Sequence, residues 1–307
     1  MYLVTLTLNP ALDKSAHIDQ LMATDKMYCK NPLFAPGGGG INVSRVIHRL
    51  GGKTIAIGQA SGYTGELLKS MLAKEGIPYV AYTTHEWTRE NIVFLEESSK
   101  KQYRFGFPGP HHEKEDFENA FSLVKTQLKK NDLLVLSGSL PQGVPENAYA
   151  MLSEYAKEIG VRVVLDTHGE AYSRALDKGV YLIKPNLKEL GQLYKESDIS
   201  KERAIELSQH LIEKEMTEIV VLSLGAKGAI LLTESELIEM EAPKVEAMSA
   251  VGAGDSMVAG ICLALQRNDS MKDLLRLGIA CGSATAKTDG TELCDRTSVE
   301  ELFNLIQ

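Results

Sequence analysis

Apolar positions along the chain fall into two alternating periods. Leu3-Val4-Thr5-Leu6-Thr7-Leu8 is a continuous run of Leu and β-branched residues and predicts a strand covered on both faces. Val43, Val46, Ile47 and Leu50 recur at i, i+3, i+4 and i+7, which predicts a one-faced helix closed by Gly51-Gly52. Thr54 to Ala60 predicts a second strand, and Gly65 to Lys74 a second helix stopped at Gly76. Beyond Phe117 the alternation is regular. Helices over 117–129, 146–159 and 202–215 separate strands Leu133–Leu136, Val161–Leu165, Tyr181–Ile183 and Ile219–Leu222. Gly228–Leu232 and the polar 233–241 predict a hairpin, and helices over 254–266 and 271–287 close the pattern. Apolar strands alternating with amphipathic helices predict an α/β fold with a mainly parallel sheet between helical layers.

Two stretches break this rhythm. Residues 11–35 lose helical period, and 79–108 divide into short extended pieces, with Asn91–Glu96 and Gln102–Phe105 flanking the polar Ser98–Lys101 as a hairpin would. The expected organisation is a core of residues 1–10, 36–85 and 109–307, from which 11–35 and 86–108 project as a small β-sheet. Two insertions at one mouth of a sheet are well placed to act as a lid. A few-stranded sheet with one apolar face is marginal alone. Tyr79, Tyr82, Val93, Leu95, Tyr103 and Phe105 therefore need a covering surface, and a second copy of the chain, a homodimer through the lid, is the expectation.

Composition narrows the function classes. With 44% apolar and 24% charged residues over 307 positions, the chain is globular in kind. Lys and Arg number 33 against 41 Asp and Glu, a formal charge of −8. Such a surface repels phosphate backbones, which excludes generic nucleic-acid binding and requires any bound anion to be held by a local cluster. No run approaches the ~18 apolar residues of a membrane helix. The N-terminus reads as a strand rather than a signal peptide, and the four cysteines lack metal-ligand spacing, so a reducing cytoplasm is expected.

The richest local feature is Val251-Gly252-Ala253-Gly254-Asp255-Ser256 ahead of an apolar run. Small residues opening a helix let backbone N–H groups and the helix dipole converge on an anion. A carboxylate at that mouth is either an ordinary cap or a base for an attacking hydroxyl. Gly37-Gly38-Gly39-Gly40 followed by Asn42 permits close approach of backbone to a ligand, or is a plain flexible turn. Lys184-Pro185-Asn186-Leu187-Lys188-Glu189 follows a strand, where its Asn and Glu suit water around Mg²⁺ or simply a strand-to-helix turn. Met257 breaks a dinucleotide fingerprint and Ile47 a Walker A loop. The His111-His112 pair beside Pro110 is expected to be exposed and inert.

In this order, Asn9-Pro10-Ala11-Leu12-Asp13, the glycine run with Asn42, Lys184-Pro185-Asn186 with Glu189, Ser223-Leu224-Gly225 with Gly228, and Gly252-Ala253-Gly254-Asp255 resemble the PfkB/ribokinase family of carbohydrate kinases, essentially from end to end. The resemblance implies a ribokinase-like three-layer α/β/α core with a β-sheet lid, and phosphoryl transfer from ATP with Mg²⁺. Gly39 stands where the family's 1-phosphofructokinases and tagatose-6-phosphate kinases usually carry Lys. The implied acceptor is accordingly the C1 hydroxyl of fructose 6-phosphate, giving fructose 1,6-bisphosphate, with tagatose 6-phosphate and fructose 1-phosphate as alternatives. Carried over residue by residue, the family pattern makes Asp255 the base and Gly252, Ala253 and Gly254 the anion hole. Asp13, Gly38, Gly39 and Asn42 meet the sugar, while Arg89 and Arg104, helped by Lys26 and Ser139, meet its phosphate. Lys184, Asn186, Glu189, Ser223, Gly225 and Gly228 meet the nucleotide, with Glu189 orienting water on Mg²⁺. Backbone carbonyls of Ser249, Val251 and Gly290 hold a monovalent cation, K⁺. Ala250 departs from the usual Thr, which alters a local hydrogen bond but not the backbone cradle.

Overall fold

The structure, a computed structural model, describes residues 1–306. Its first half runs β1 (Leu3–Thr7), β2 (Ala11–Ile18), β3 (Lys30–Gly37), α1 (Gly39–Arg49), β4 (Thr54–Gln59), α2 (Gly62–Lys74), β5 (Tyr79–Tyr82), β6 (Arg89–Glu96), β7 (Gln102–Gly106), α3 (Lys114–Gln127) and β8 (Leu133–Ser137). The second half runs α4 (Ala148–Glu158), β9 (Arg162–Asp166), α5 (Gly169–Leu176), β10 (Val180–Ile183), α6 (Leu187–Leu193), α7 (Lys201–Glu213), β11 (Thr217–Ser223), β12 (Ala229–Leu232), β13 (Leu237–Met240), α8 (Ala253–Arg267), α9 (Met271–Ala286) and α10 (Arg296–Leu305).

Nine strands form one sheet in the order β13-β12-β11-β10-β9-β8-β1-β4-β5. It is parallel from β11 to β5 and ends at the other edge in the antiparallel β12-β13 hairpin. Period two along each strand divides its apolar residues between two layers. Leu133, Val135, Val164, Leu182, Ile219 and Val221 pack with residues of α1, α8, α9 and α10. Leu134, Leu136, Val163, Leu165, Val220 and Leu222 pack with residues of α3 to α7. This is the three-layer α/β/α arrangement expected from the sequence. No helix among the described residues is long and apolar enough to cross a membrane.

Helix α8, which carries the glycine-rich mouth, is buried from Ser256 to Leu265. It lies close against α9 because Gly260 leaves room: a Cβ there would sit 2.6 Å from the Leu277 carbonyl oxygen. Gly260→Val is therefore expected to lower stability by about 2 kcal/mol, read as a drop in the denaturant midpoint.

The second sheet has the order β3-β2-β6-β7 and stands apart from the first. Its β2 and β6 are parallel neighbours, flanked by antiparallel β3 and β7. Two expectations are corrected here. Tyr79 and Tyr82 do not belong to this sheet: β5 pairs with β4 at the edge of the large one, through Ala56↔Tyr79 and Gln59↔Tyr82. Tyr82 packs into the core beside Phe117. His112 is buried rather than exposed, its Nε2 3.1 Å from the Tyr82 hydroxyl and its Nδ1 3.2 Å from the Pro110 carbonyl. Burial lowers its pKa, which favours the neutral ring. His111 is exposed as expected.

Candidate active site

Parallel strands end on one side of a sheet, and ligand sites of open α/β folds form there. β1 leads into Asn9 and Asp13, β8 ends at Ser137 ahead of Ser139, β9 ends at Asp166, β10 leads into Lys184 and Asn186, and β11 ends at Ser223. Helices α1 and α8 begin at this same edge. Their N-caps, Gly38 (φ 111°) and Gly252 (φ 73°), carry no side-chain cap, and both adopt positive φ, which glycine tolerates.

Asp255 lies in the first turn of α8 and is half-buried. Asn42, in the first turn of α1, donates from Nδ2 to its Oδ2 at 2.8 Å. Low-dielectric surroundings and the nearby Asp166 carboxylate push the Asp255 pKa up to about 6, against the opposing pull of Asn42 and Lys184. Lys184 is buried with its Nζ 3.3 Å from Asp166 Oδ1. Burial works against its charge, but Asp166, Glu189 and Asp255 together outweigh that and raise its pKa, so the ammonium persists. A side chain on Gly254 would come within 3.6 Å of that ammonium, which places Lys184 at the helix mouth.

Across the cleft, Asp13 sits on β2 opposite Asn91 of β6, whose Nδ2 donates to Asp13 Oδ1 at 2.8 Å. Burial raises the Asp13 pKa, opposed by the Asn91 hydrogen bond and by Arg89, Arg45 and Arg104. Gly37 has no side chain because the Asp13 carboxylate fills that space, and Gly39 likewise yields its space to the Ser137 hydroxyl. Arg89 donates from Nη1 to the Phe107 carbonyl at 3.1 Å and from Nη2 to the Asn9 carbonyl at 3.0 Å. Asn9 Nδ2 donates to Ser139 Oγ at 3.3 Å. Asn9 Oδ1, Asn91 Oδ1, Arg89 Nε and Ser137 Oγ are buried without partners. Buried polar atoms are seldom left unpaired. This cluster beneath the small sheet is thus an unfilled set of donors and acceptors suited to a polyhydroxylated, anionic ligand.

At the other end of the cleft, Asn186 caps α6 in a reciprocal capping box. Its side chain accepts from the Glu189 amide at 2.9 Å, and Glu189 Oε2 accepts from the Asn186 amide at 3.0 Å. Ser223 joins Asn186 through a parallel bridge. Gly225 (φ 61°) borders open space, whereas Gly228 (φ 104°) packs on the Met240 carbonyl and serves the turn into β12. Ser249 Oγ donates to the Gly290 carbonyl at 2.7 Å and accepts from the Val251 amide at 3.1 Å, tying together the two loops expected to hold a monovalent cation. Thr291 Oγ1 and Asp289 Oδ1, on the same loop as Gly290, are buried and unpartnered, and such hard oxygen donors fit an alkali cation.

Most of the expected residues converge on this one cleft. Lys26 does not: it is exposed, with its ammonium 5.0 Å from the Tyr28 ring centroid. Arg104 is exposed on β7, close enough to act on Asp13. Asp166, Asn91 and Ser137 escaped sequence reasoning as site residues. The readable signal was position, since Asp166 and Ser137 each end an apolar strand at the edge where sites form.

A parallel-sheet core with a carboxylate at a glycine-lined helix mouth and a polar pocket under a small sheet defines a phosphoryl-transfer enzyme acting on a hydroxylated acceptor. The chain belongs to the pfkB family of carbohydrate kinases, whose model matches residues 6–298. The ATP-dependent 6-phosphofructokinase isozyme 2 of Escherichia coli (strain K12) is 38% identical over 300 residues, covering 97% of each chain. The 1-phosphofructokinase of Bacillus subtilis (strain 168) is 33% identical over 290 residues, 94% of each. Among solved structures, phosphofructokinase-2 from Escherichia coli in complex with substrates and products matches with a TM-score of 0.95, 38% identity and 99% of both chains covered. Its complex with potassium gives 0.94 at 38% identity, and its tetrameric inhibited form 0.92 at 37%, each covering 99% of this chain and 98% of that one.

Proposed function

We propose that this kinase transfers the γ-phosphoryl group of ATP to the C1 hydroxyl of fructose 6-phosphate, giving fructose 1,6-bisphosphate. The observation that carries the reading is the Asp255 carboxylate at the mouth of α8. Asn42 orients it, and its pKa of about 6 makes it a base at neutral pH. The C1 hydroxyl loses its proton to Asp255 as its oxygen attacks the γ-phosphorus, and charge gathering on the equatorial oxygens meets the amides of Gly252, Ala253 and Gly254. Phosphoryl transfer needs positioning and charge stabilisation more than covalent help. Asp13, Asn42 and the Gly38-Gly39 backbone hold the sugar, and Arg89 and Arg104 neutralise its phosphate dianion. Lys184, Asn186, Ser223 and Gly225 hold the nucleotide. Glu189 would hold Mg²⁺ through a water, where the ion would supply charge neutralisation at the phosphates, and the carbonyls of Ser249, Val251 and Gly290 would hold K⁺ behind Gly252. The relative's complex with potassium supports the K⁺ reading, and its complex with substrates and products supports the kinase reading.

Tagatose 6-phosphate or fructose 1-phosphate remains the second acceptor reading, favoured by the similarity to a 1-phosphofructokinase. Gly39 counts against it, since kinases of those two kinds usually carry Lys at this position. A coupled ADP-release assay across these three sugar phosphates and the free hexoses decides. A fructose 6-phosphate kcat/KM below either competitor refutes the assignment.

Because Asp255 acts as a base only when deprotonated, kcat/KM for the sugar is expected to fall about tenfold per pH unit below pH 6. Asp166→Asn removes a charge that raises the Asp255 pKa, so the acid limb should move to lower pH.

The outer side of the small sheet supports a homodimer. Phe34 and Phe105, opposite Lys14 and Ile92 on that face, are 44% and 46% exposed, and Tyr28 ahead of β3 and Phe107 just past β7 are 75% and 50% exposed. Large apolar groups at this density mark an interface. Sedimentation at micromolar concentration should return twice the chain mass, and Phe105→Asp should shift it toward the monomer.

A further inference from the structure

Alternation along β2 places Asp13, Ser15 and His17 on the same face of the small sheet. Asp13 lies at the sugar end. Four residues on, His17 reaches the core: its Nε2–H donates to Asp289 Oδ2 at 2.7 Å, while Nδ1 lies 3.5 Å from Glu97 Oε1 just past the end of β6. From β7, Gln102 Nε2 donates to Ser249 Oγ at 3.1 Å. Both bridges land on loops already knit together, because Ser249 Oγ donates to the Gly290 carbonyl and accepts from the Val251 amide, one residue before Gly252. Beside them a cavity of about 250 Å³, lined by Ser15, His17, Leu33, Val93 and Asp289 among others, separates the sheet from these loops. Leu33, Val93 and Leu95 line the sheet side of this cavity, and the direct bridges beside it are the polar ones of His17 and Gln102.

We propose that His17 and Gln102 are positioning residues that latch the small sheet to the 249–251 and 289–291 loops. Through this latch the sugar phosphate under the lid and the nucleotide's terminal phosphate at the α8 mouth bind cooperatively. The inference rests on the activity proposed above. A ligand that seats the lid over Asp13 favours the same geometry of Asp289 and Ser249 that fixes Val251 and the cradle behind it. Coupling between two sites requires such a shared, contiguous element, and it acts equally in both directions.

Calorimetric titration of the full chain reads this directly, with fructose 6-phosphate affinity measured alone and in the presence of saturating Mg²⁺ and a non-hydrolysable ATP analogue. In the unmodified protein the analogue should tighten sugar binding about tenfold. His17→Ala and Gln102→Ala together should reduce that enhancement to about twofold or less. Each ligand should still bind singly, and the sugar KM should change more than kcat. His17→Gln, which keeps a donor for Asp289, should restore most of the enhancement and also serves if the alanine variant fails to fold. Enhancement of normal size in the double variant overturns the latch, as does absence of any enhancement in the unmodified protein. Failure of the unmodified protein to bind either ligand would instead overturn the activity reading itself.

Discussion

Asp255→Asn is expected to lower kcat about a thousandfold, the scale of a removed general base, while fructose 6-phosphate affinity changes little. In free-energy terms that is about 4 kcal/mol of transition-state stabilisation. Asn keeps the shape of the side chain and can still accept from Asn42, so the helix mouth and sugar pocket should survive. What is lost is the group that takes the proton. Steady-state kcat alongside calorimetric sugar affinity separates the two effects. Turnover within tenfold of the unmodified enzyme would remove Asp255 from the mechanism, and a matching loss of sugar binding would make it a positioning group.

The second large effect is expected at Arg89. Its guanidinium bridges the Phe107 and Asn9 carbonyls and leaves Nε buried without a partner. Its pKa is lowered by burial, with Asp13 opposing, so its charge is incompletely compensated until an anion arrives. Arg89→Ala should raise the KM for fructose 6-phosphate about a hundredfold, near 3 kcal/mol for hydrogen bonds to a phosphate dianion. The KM for ATP should stay nearly constant. Arg89→Lys should recover only part of the loss, because an ammonium cannot reproduce the planar fork. An equal rise in both KM values would point to collapse of the lid root rather than a lost phosphate contact.

The core was legible in the sequence because its physics is periodic. The apolar strands β1, β8, β9 and β11 and the one-faced α1 follow from spacing alone. The small sheet was harder to read. β2 spells Ala-Leu-Asp-Lys-Ser-Ala-His-Ile, with the polar Asp13, Ser15 and His17 on the face turned toward the core loops, so no apolar alternation announces the strand. α3 begins at Lys114, three residues ahead of its first apolar position, because Glu113 and Asp116 form a capping box there. α10 was missed because its short apolar face follows a loop with no strand to announce it.

For the site, the family motifs led to Asp255, Asn42, Lys184 and Asn186. They did not lead to Asp166, whose effect is exerted through space on Lys184 and Asp255 from a different strand. Nor did they show that Glu189 closes a reciprocal cap with Asn186 at the start of α6. Asp166 carries no motif of its own, and its ion pair with Lys184 becomes visible only when the two strands are folded side by side.

The central claim is that one carboxylate joins nucleotide and sugar, and a ternary complex tests it most directly. Crystals grown with fructose 6-phosphate, Mg²⁺ and a non-hydrolysable ATP analogue should place an Asp255 carboxylate oxygen within about 2.6–3.2 Å of the sugar's O1, with O1 facing the γ-phosphorus. An Asp255 side chain turned from the cleft, or a sugar bound with another hydroxyl toward the γ-phosphate, would contradict the account.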